Sequence, residues 1–181
     1  MYTSNKLAKS IGIIAKVRKF LSTSLLLNLY YAFAYPYLIY CNMNWASNYP
    51  TVLDKLNILQ KRLIRLITFS EFRAHTLPLF IELKILNVQQ ICSFQTGNFM
   101  YRYCKGMLPS LFNDIFLLNE AVHSHYTRQS NLFHYFPLNS NVAKFSIKYN
   151  GPKIWNNIPT CLKELNYYSF KKQYRQFLII S

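Results

Sequence analysis

From Phe20 to Leu53 the chain carries no charged side chain, although the protein as a whole has 21 Lys and Arg against 6 Asp and Glu. A run this long and apolar must leave water, and it can enter either a bilayer or a protein core. The stretch LLLNLYYAFAYPYLIYC at 25–41 is long enough to span, and Lys16, Arg18 and Lys19 before it would serve as a basic cytoplasmic flank. Asn28 and Pro36 lie near its middle, and Tyr30, Tyr31, Tyr35, Tyr37 and Tyr40 suit a wet-edged core better than hydrocarbon. The favoured reading is a buried helix kinked or ended near Pro36. A single-pass anchor over residues 20–41 stays as the alternative.

The rest of the chain supports a helical core. With 181 residues it forms one domain, or one with an appendage. Hydrophobic residues make up 51%, which excludes a disordered chain. Only 4 glycines are present, too few for an all-β fold with many tight turns. The expected fold is mainly α, a helical bundle with a small extended or hairpin element toward the C-terminus.

Periodicity places the helices. At ~100° per residue, Leu7, Ile11, Ile14, Val17 and Leu21 gather on one side of a helix over 6–21, with Lys9, Lys16 and Lys19 on the other. Ser22-Thr23-Ser24 offers an N-cap for a second helix running toward Tyr40. A polar connection from Asn42 contains Trp45 and ends at Pro50, an early residue of a third helix. That helix, over 52–69, has Leu56, Leu59, Leu63, Leu66 and Ile67 on one face. Lys55, Lys61, Arg62 and Arg65 share the opposite face with no acidic partner. Thr76-Leu77-Pro78 reads as another helix start. A helix over 88–105 has Gly106 just past its end and Pro109 beyond. Residues 118–141 lack helical period and read as extended, with a hairpin pairing near Phe133 and Ile147. Gly151-Pro152 reads as a breaker, and Trp155 as core. Residues 169–179 form a last helix with Phe170, Tyr174 and Phe177 as its stripe, and Lys171, Lys172 and Arg175 off it.

The residue inventory excludes most catalysis. Asp54, Glu71, Glu82, Asp114, Glu120 and Glu164 are scattered singly, so two-metal phosphoryl chemistry has no carboxylate cluster. Cys41, Cys92, Cys104 and Cys161 form no C-x-x-C and read as buried free thiols of a reducing compartment. His123-x-His125 could be half of a zinc site, but no third ligand stands at a completing distance. There is no G-x-S-x-G and no Gly-rich phosphate loop. No metal or other cofactor is expected. What remains is binding. A formal charge of +15 and a pI near 9.8 favour a polyanionic partner, and the uncompensated helix faces point to nucleic acid.

Seven blocks occur in a recognisable order: IGIIAKVRKFL (11–21), LNLYYAFAYPYLIYCNMNW (27–45), LNILQKRLIRLITF (56–69), AHTLPLFIELKILNV (74–88), HSHYTR (123–128), FSIKYNGPKIWNNIP (145–159) and SFKKQYRQFL (169–178). Together they resemble the C-terminal part of reverse transcriptases from jockey-like non-LTR (LINE-type) retrotransposons. The resemblance covers nearly the whole chain and is weakest at 113–122 and 129–143. It implies a helical thumb over residues 1–112 and a C-terminal extension over 113–181. In that family the palm holds the metal-binding aspartates, including an aromatic-x-Asp-Asp motif. This chain lacks the motif and begins after the place where it would lie, as a truncated element or a frame read from an internal Met1 would. Magnesium would belong to the missing palm, and the chain is expected not to polymerise alone.

The resemblance further implies an intracellular protein, nuclear or cytoplasmic. Its partners would be RNA, DNA or an RNA–DNA hybrid, together with the palm domain of a full-length enzyme. A thumb grips the template–primer duplex through its backbone, a task for cations on rigid helices. The candidates are Lys9, Lys16, Lys19, Lys55, Lys61, Arg62 and Arg65, with Arg128 and Lys153 from the later blocks. A retroelement relic with no function is the other rival.

Overall fold

The computed structural model describes residues 2–122, 128–136, 138–140 and 142–180, and it is mainly α-helical. The first apolar stripe forms α1 (Tyr2–Val17), which buries Leu7, Ile11 and Ile14. Ser10 is buried among them because its hydroxyl donates to the Phe33 carbonyl, 2.8 Å away on the second helix. The helix starts earlier than its apolar period and stops at Val17. Ser22 must be extended to open the next helix, so the chain turns before reaching it.

One stripe of the uncharged segment becomes core, while Phe20, Leu25, Phe33 and Tyr40 stay exposed. The segment forms α2 (Thr23–Phe33), α3 (Tyr35–Ile39) and α4 (Asn42–Trp45). Leu26, Tyr30, Ala34 and Leu38 recur every fourth residue and are all fully buried, so one stripe crosses the α2–α3 break. The break falls where expected. Pro36 has no N–H to continue α2 and sits in the first turn of α3. No helix among the described residues is long and apolar enough to cross a membrane. The expected polar connection is partly helical: Asn42 is buried and donates from Nδ2 to the Leu38 carbonyl at 2.8 Å.

The third predicted helix is α5 (Pro50–Ile67), with Pro50 in its first turn. It lies along α1. Leu53, Leu56, Leu63, Ile64 and Ile67 are buried, while Leu59 and Leu66 flank the stripe half-buried. Gln60 sits inside that stripe, fully buried. Its Nε2 donates to the Leu86 carbonyl (2.9 Å) and the Tyr30 hydroxyl (3.0 Å), and its Oε1 accepts from the Val88 N–H (3.0 Å). One amide thus ties α2 and α5 to the start of the central helix and leaves no buried polar atom of its own unmatched.

Thr76 and Pro78 open α6 (Leu77–Glu82) as expected. The central helix, α7 (Val88–Cys104), buries residues around most of its circumference and touches α3, α4, α5 and two helices nearer the C-terminus. Asn87 and Gln90 form a capping box at its start. At its end Gly106 is left-handed at φ +63°, and bonds from Gly106 N–H to Tyr103 O (3.0 Å) and Met107 N–H to Arg102 O (2.8 Å) close a Schellman motif.

After α7 the chain makes a short 3-10 turn (Ser110–Phe112) and α8 (Asn119–Val122), so the loose middle stretch is not uniformly extended. The expected hairpin is corrected: Phe133 pairs antiparallel with Leu118, not with Ile147. Ile147 opens α9 (Ile147–Asn156). Gly151-Pro152 does not break the chain either. Both are buried inside α9, because that helix packs on α7 and a Cβ on Gly151 would come within 2.9 Å of the Met100 sulfur. Packing there outweighs the backbone bond that Pro152 forfeits, a loss of roughly 3 kcal/mol in an isolated helix.

The last elements are α10 (Thr160–Lys163) and α11 (Tyr167–Ile180). The buried stripe of α11 is Phe170, Tyr174 and Leu178, while Phe177 is 38% exposed. Tyr101, Phe170 and Tyr174 stack in sequence, with centroid separations of 4.5 and 5.3 Å, and Trp155 lies against Phe170 at 6.0 Å. Trp155 is therefore core, as expected.

Candidate nucleic-acid interface

The basic candidates divide into three places. Lys9 and Lys16 stand on the exposed side of α1, opposite Leu7, Ile11 and Ile14. Lys19 is exposed as well, but it lies in the turn after α1 and not on the helix. On α5, Lys55, Lys61 and Arg62 are exposed. Arg65 is half-buried, and its Nε–H donates to the Ala74 carbonyl at 2.9 Å, which holds the loop between α5 and α6 in place. The α5 face is not purely cationic. Asp54 is exposed on the same side, and so is Ile58, 64% exposed. Because α1 and α5 pack through their apolar stripes, each turns its cations away from the shared core.

Arg128 and Lys153 lie elsewhere. Arg128 is exposed and lines a cleft with Asn119, His134, Tyr135 and Asn156. Lys153, exposed in the last turn of α9, lines a different cleft with Ser47, Gln89, Tyr149 and Asn150. The His123-x-His125 pair lies outside the described residues. Among the described residues no group of three His, Cys, Asp or Glu is placed to hold a metal ion. The four cysteines are free thiols, but only Cys92 is buried; Cys41, Cys104 and Cys161 are exposed. Burial raises the Cys92 thiol, and partial desolvation of the sulfur raises that of Cys104 to about 11 although the residue is exposed.

The structure also assembles a basic cleft from residues far apart in the chain. It has a volume of about 670 Å3 and is walled by Tyr31 and Tyr35 of α2 and α3, by Lys84 after α6, and by one side of α11. That side of α11 supplies Tyr168, Lys171, Lys172 and Arg175. No acidic side chain is among the described residues that line it. The Arg175 guanidinium bridges the walls, donating from Nη2 to the Tyr31 hydroxyl (2.8 Å) and the Lys84 carbonyl (3.1 Å). Lys84 is left-handed at φ +53°, and bonds from Lys84 N–H to Ile81 O (3.1 Å) and Ile85 N–H to Phe80 O (2.9 Å) close the end of α6 around it. The Tyr31 ring meets those of Tyr30 and Tyr35, each at 5.3 Å and edge-on. Burial raises the Tyr35 phenol, and the nearby Arg175 charge partly offsets it.

Lys171, Lys172 and Arg175 lie off the apolar stripe of the last helix, and neither Lys84 nor Tyr168 is among the candidates the sequence offers. A signal was present: Tyr168, Lys171 or Lys172, Arg175 and Ile179 recur at one-turn intervals on α11. Nothing in the sequence says that Lys84 and the α2–α3 tyrosines face them. Set against known proteins, the chain matches no family model, no curated protein and no solved structure.

Proposed function

We propose that this chain is the nucleic-acid-gripping C-terminal portion of a retroelement reverse transcriptase, silent in polymerisation by itself. The observation that carries the reading is the outward set of Lys9 and Lys16 on α1 with Lys55, Lys61 and Arg62 on α5. These cations project from helices held rigid by interlocked apolar stripes. Such faces follow a sugar–phosphate backbone without reading bases. The ordered sequence blocks supply the family, and the net charge of +15 supplies the attraction to a polyanion. The partners are an RNA–DNA hybrid and the palm of a complete enzyme, where the magnesium-binding aspartates would reside.

The test is a salt titration of hybrid binding by the purified chain. The affinity is expected to fall steeply, by roughly 0.7 to 0.9 log units per log unit of salt for each phosphate neutralised. Replacing Lys61 and Arg62 together by Ala should shallow that slope by roughly two such steps. Affinity that does not change between low and high salt overturns the proposal. Incorporation of nucleotides by this chain with magnesium overturns its catalytic silence.

A further inference from the structure

We propose that the cleft between α11, the end of α6 and the α2–α3 junction binds single-stranded nucleic acid, with phosphates on Lys84, Lys171 and Lys172 and a base stacked on Tyr168. The inference concerns a different surface from the outer faces of α1 and α5, and it stands whether or not those faces grip a duplex.

Three observations carry it. The first is charge. Four cations line one concavity and no described carboxylate faces them. Arg175 is already committed to Tyr31 and Lys84, but none of the three ammonium groups has a bonding partner among the described residues. Like charges held this close oppose folding, and a bound polyanion relieves them.

The second is the aromatic wall. Tyr168 is 84% exposed at the mouth of the cleft, one turn from Lys171 and Lys172. An aromatic face beside cations at that interval fits a strand whose bases and phosphates alternate.

The third is shape. The volume of about 670 Å3 is that of a cleft for a small ligand, not of a surface for a rod. A duplex keeps its bases stacked inside and offers nothing to Tyr168, whereas a single strand offers an open base. An acidic peptide would satisfy the lysines and leave the tyrosine face unused.

The probe is a short fluorescein-labelled oligothymidylate, read by anisotropy on the full chain. Tyr168→Ala is expected to weaken binding about tenfold. Tyr168 is exposed, so the variant should keep the wild-type melting temperature. Replacing Lys171 and Lys172 together by Ala should reduce the salt slope by roughly 1.4. Ultraviolet cross-linking should label the peptide that contains Tyr168. In the Lys61 and Arg62 double variant, Tyr168→Ala should weaken oligothymidylate binding by the same factor as in the wild type, which separates this site from the hybrid-binding faces. Unchanged affinity in the Tyr168 and lysine variants would overturn the proposal. So would displacement of the oligonucleotide by polyglutamate at equal charge, which would make the cleft a site for acidic protein.

Discussion

The two halves of this molecule solve the packing problem with different materials. The core of α1, α2 and α5 is aliphatic: Leu7, Ile11, Ile14, Leu26, Leu56, Leu63 and Ile67, with Tyr30 as its one large ring. The core of α7, α9 and α11 is rich in rings, Phe94, Tyr101, Trp155, Phe170 and Tyr174, joined by stacks and edge contacts, with Val88, Ile91, Met100 and Leu178 beside them. Aliphatic side chains fill space without regard to direction, so a regular stripe suffices to dock α1 on α5. Rings need particular separations and angles, and those need partners from distant parts of the chain. The difference shows in the glycines. Gly97 and Gly151 lie in the aromatic half, and each leaves out a Cβ where a neighbour presses in. A Cβ on Gly97 would sit 2.8 Å from Cζ of Tyr174, and one on Gly151 would meet Met100 and Phe116.

The largest expected effect comes from emptying each core in turn. Phe170→Ala removes a fully buried ring that touches Tyr101, Trp155 and Tyr174, and should destabilise by about 4 kcal/mol. Leu63→Ala, also fully buried, should cost about 3 kcal/mol because aliphatic neighbours relax more readily into the space. Denaturant unfolding of the two variants checks this. A Leu63 loss equal to or above the Phe170 loss would break the comparison.

Gly97→Ala sharpens it. In an exposed helix this change is favourable by about 1 kcal/mol. Here the new methyl group would run into the Tyr174 ring, whose hydroxyl is held by the Ser93 carbonyl at 3.0 Å. A net loss of about 2 kcal/mol is expected from thermal melts. A stabilised variant would show that the ring can step aside and that the aromatic half is looser than described.

The smallest effect is in alkali, and it reaches both halves. Burial raises the phenols of Tyr30 and Tyr174 well above the ordinary 10.0. The folded state keeps both neutral, while the unfolded chain ionises near 10.0 and binds fewer protons above that pH. By linkage their contribution is complete below pH ~10 and is lost as pH climbs beyond it. Tyr30→Phe should flatten that decline while costing about 1 kcal/mol at neutral pH, since Gln60 Nε2 keeps the Leu86 carbonyl. Stability measured across pH ~9 to ~11 would test it, an interval about one unit to either side of the free phenol. Equal alkaline slopes in the variant and the wild type would remove Tyr30 from the account.

The same contrast explains what could be read in advance. Leu7, Ile11 and Ile14 on α1, Leu56 and Leu63 on α5, and Gly106 after α7 report on structure within a turn or two of themselves, and their elements follow from them. Gln60 looks polar in any window. Its burial makes sense only with Tyr30, Leu86 and Val88 around it. Of the candidate cations, the exposure of Lys9 and Lys16 on α1 and of Lys55, Lys61 and Arg62 on α5 was legible because each helix turns its charged side from its own apolar side, while the bond of Arg65 to the Ala74 carbonyl was not. The cleft was not, because Lys84 and Tyr31 reach Arg175 across long stretches of chain.

The sequence by itself determined that the chain is mainly helical, where α5, α7 and α11 lie to within about two residues, and that its net charge is +15. These are local or summed properties, and local periodicity, caps and composition express them directly. The tertiary structure alone decided that Gly151 and Pro152 continue a helix, that Phe133 pairs with Leu118, and that Lys84 after α6 and the cations of α11 share one cleft with tyrosines from α2 and α3. The physical reason is range: contacts between distant segments outweigh preferences of about 1 to 3 kcal/mol set by neighbours in sequence.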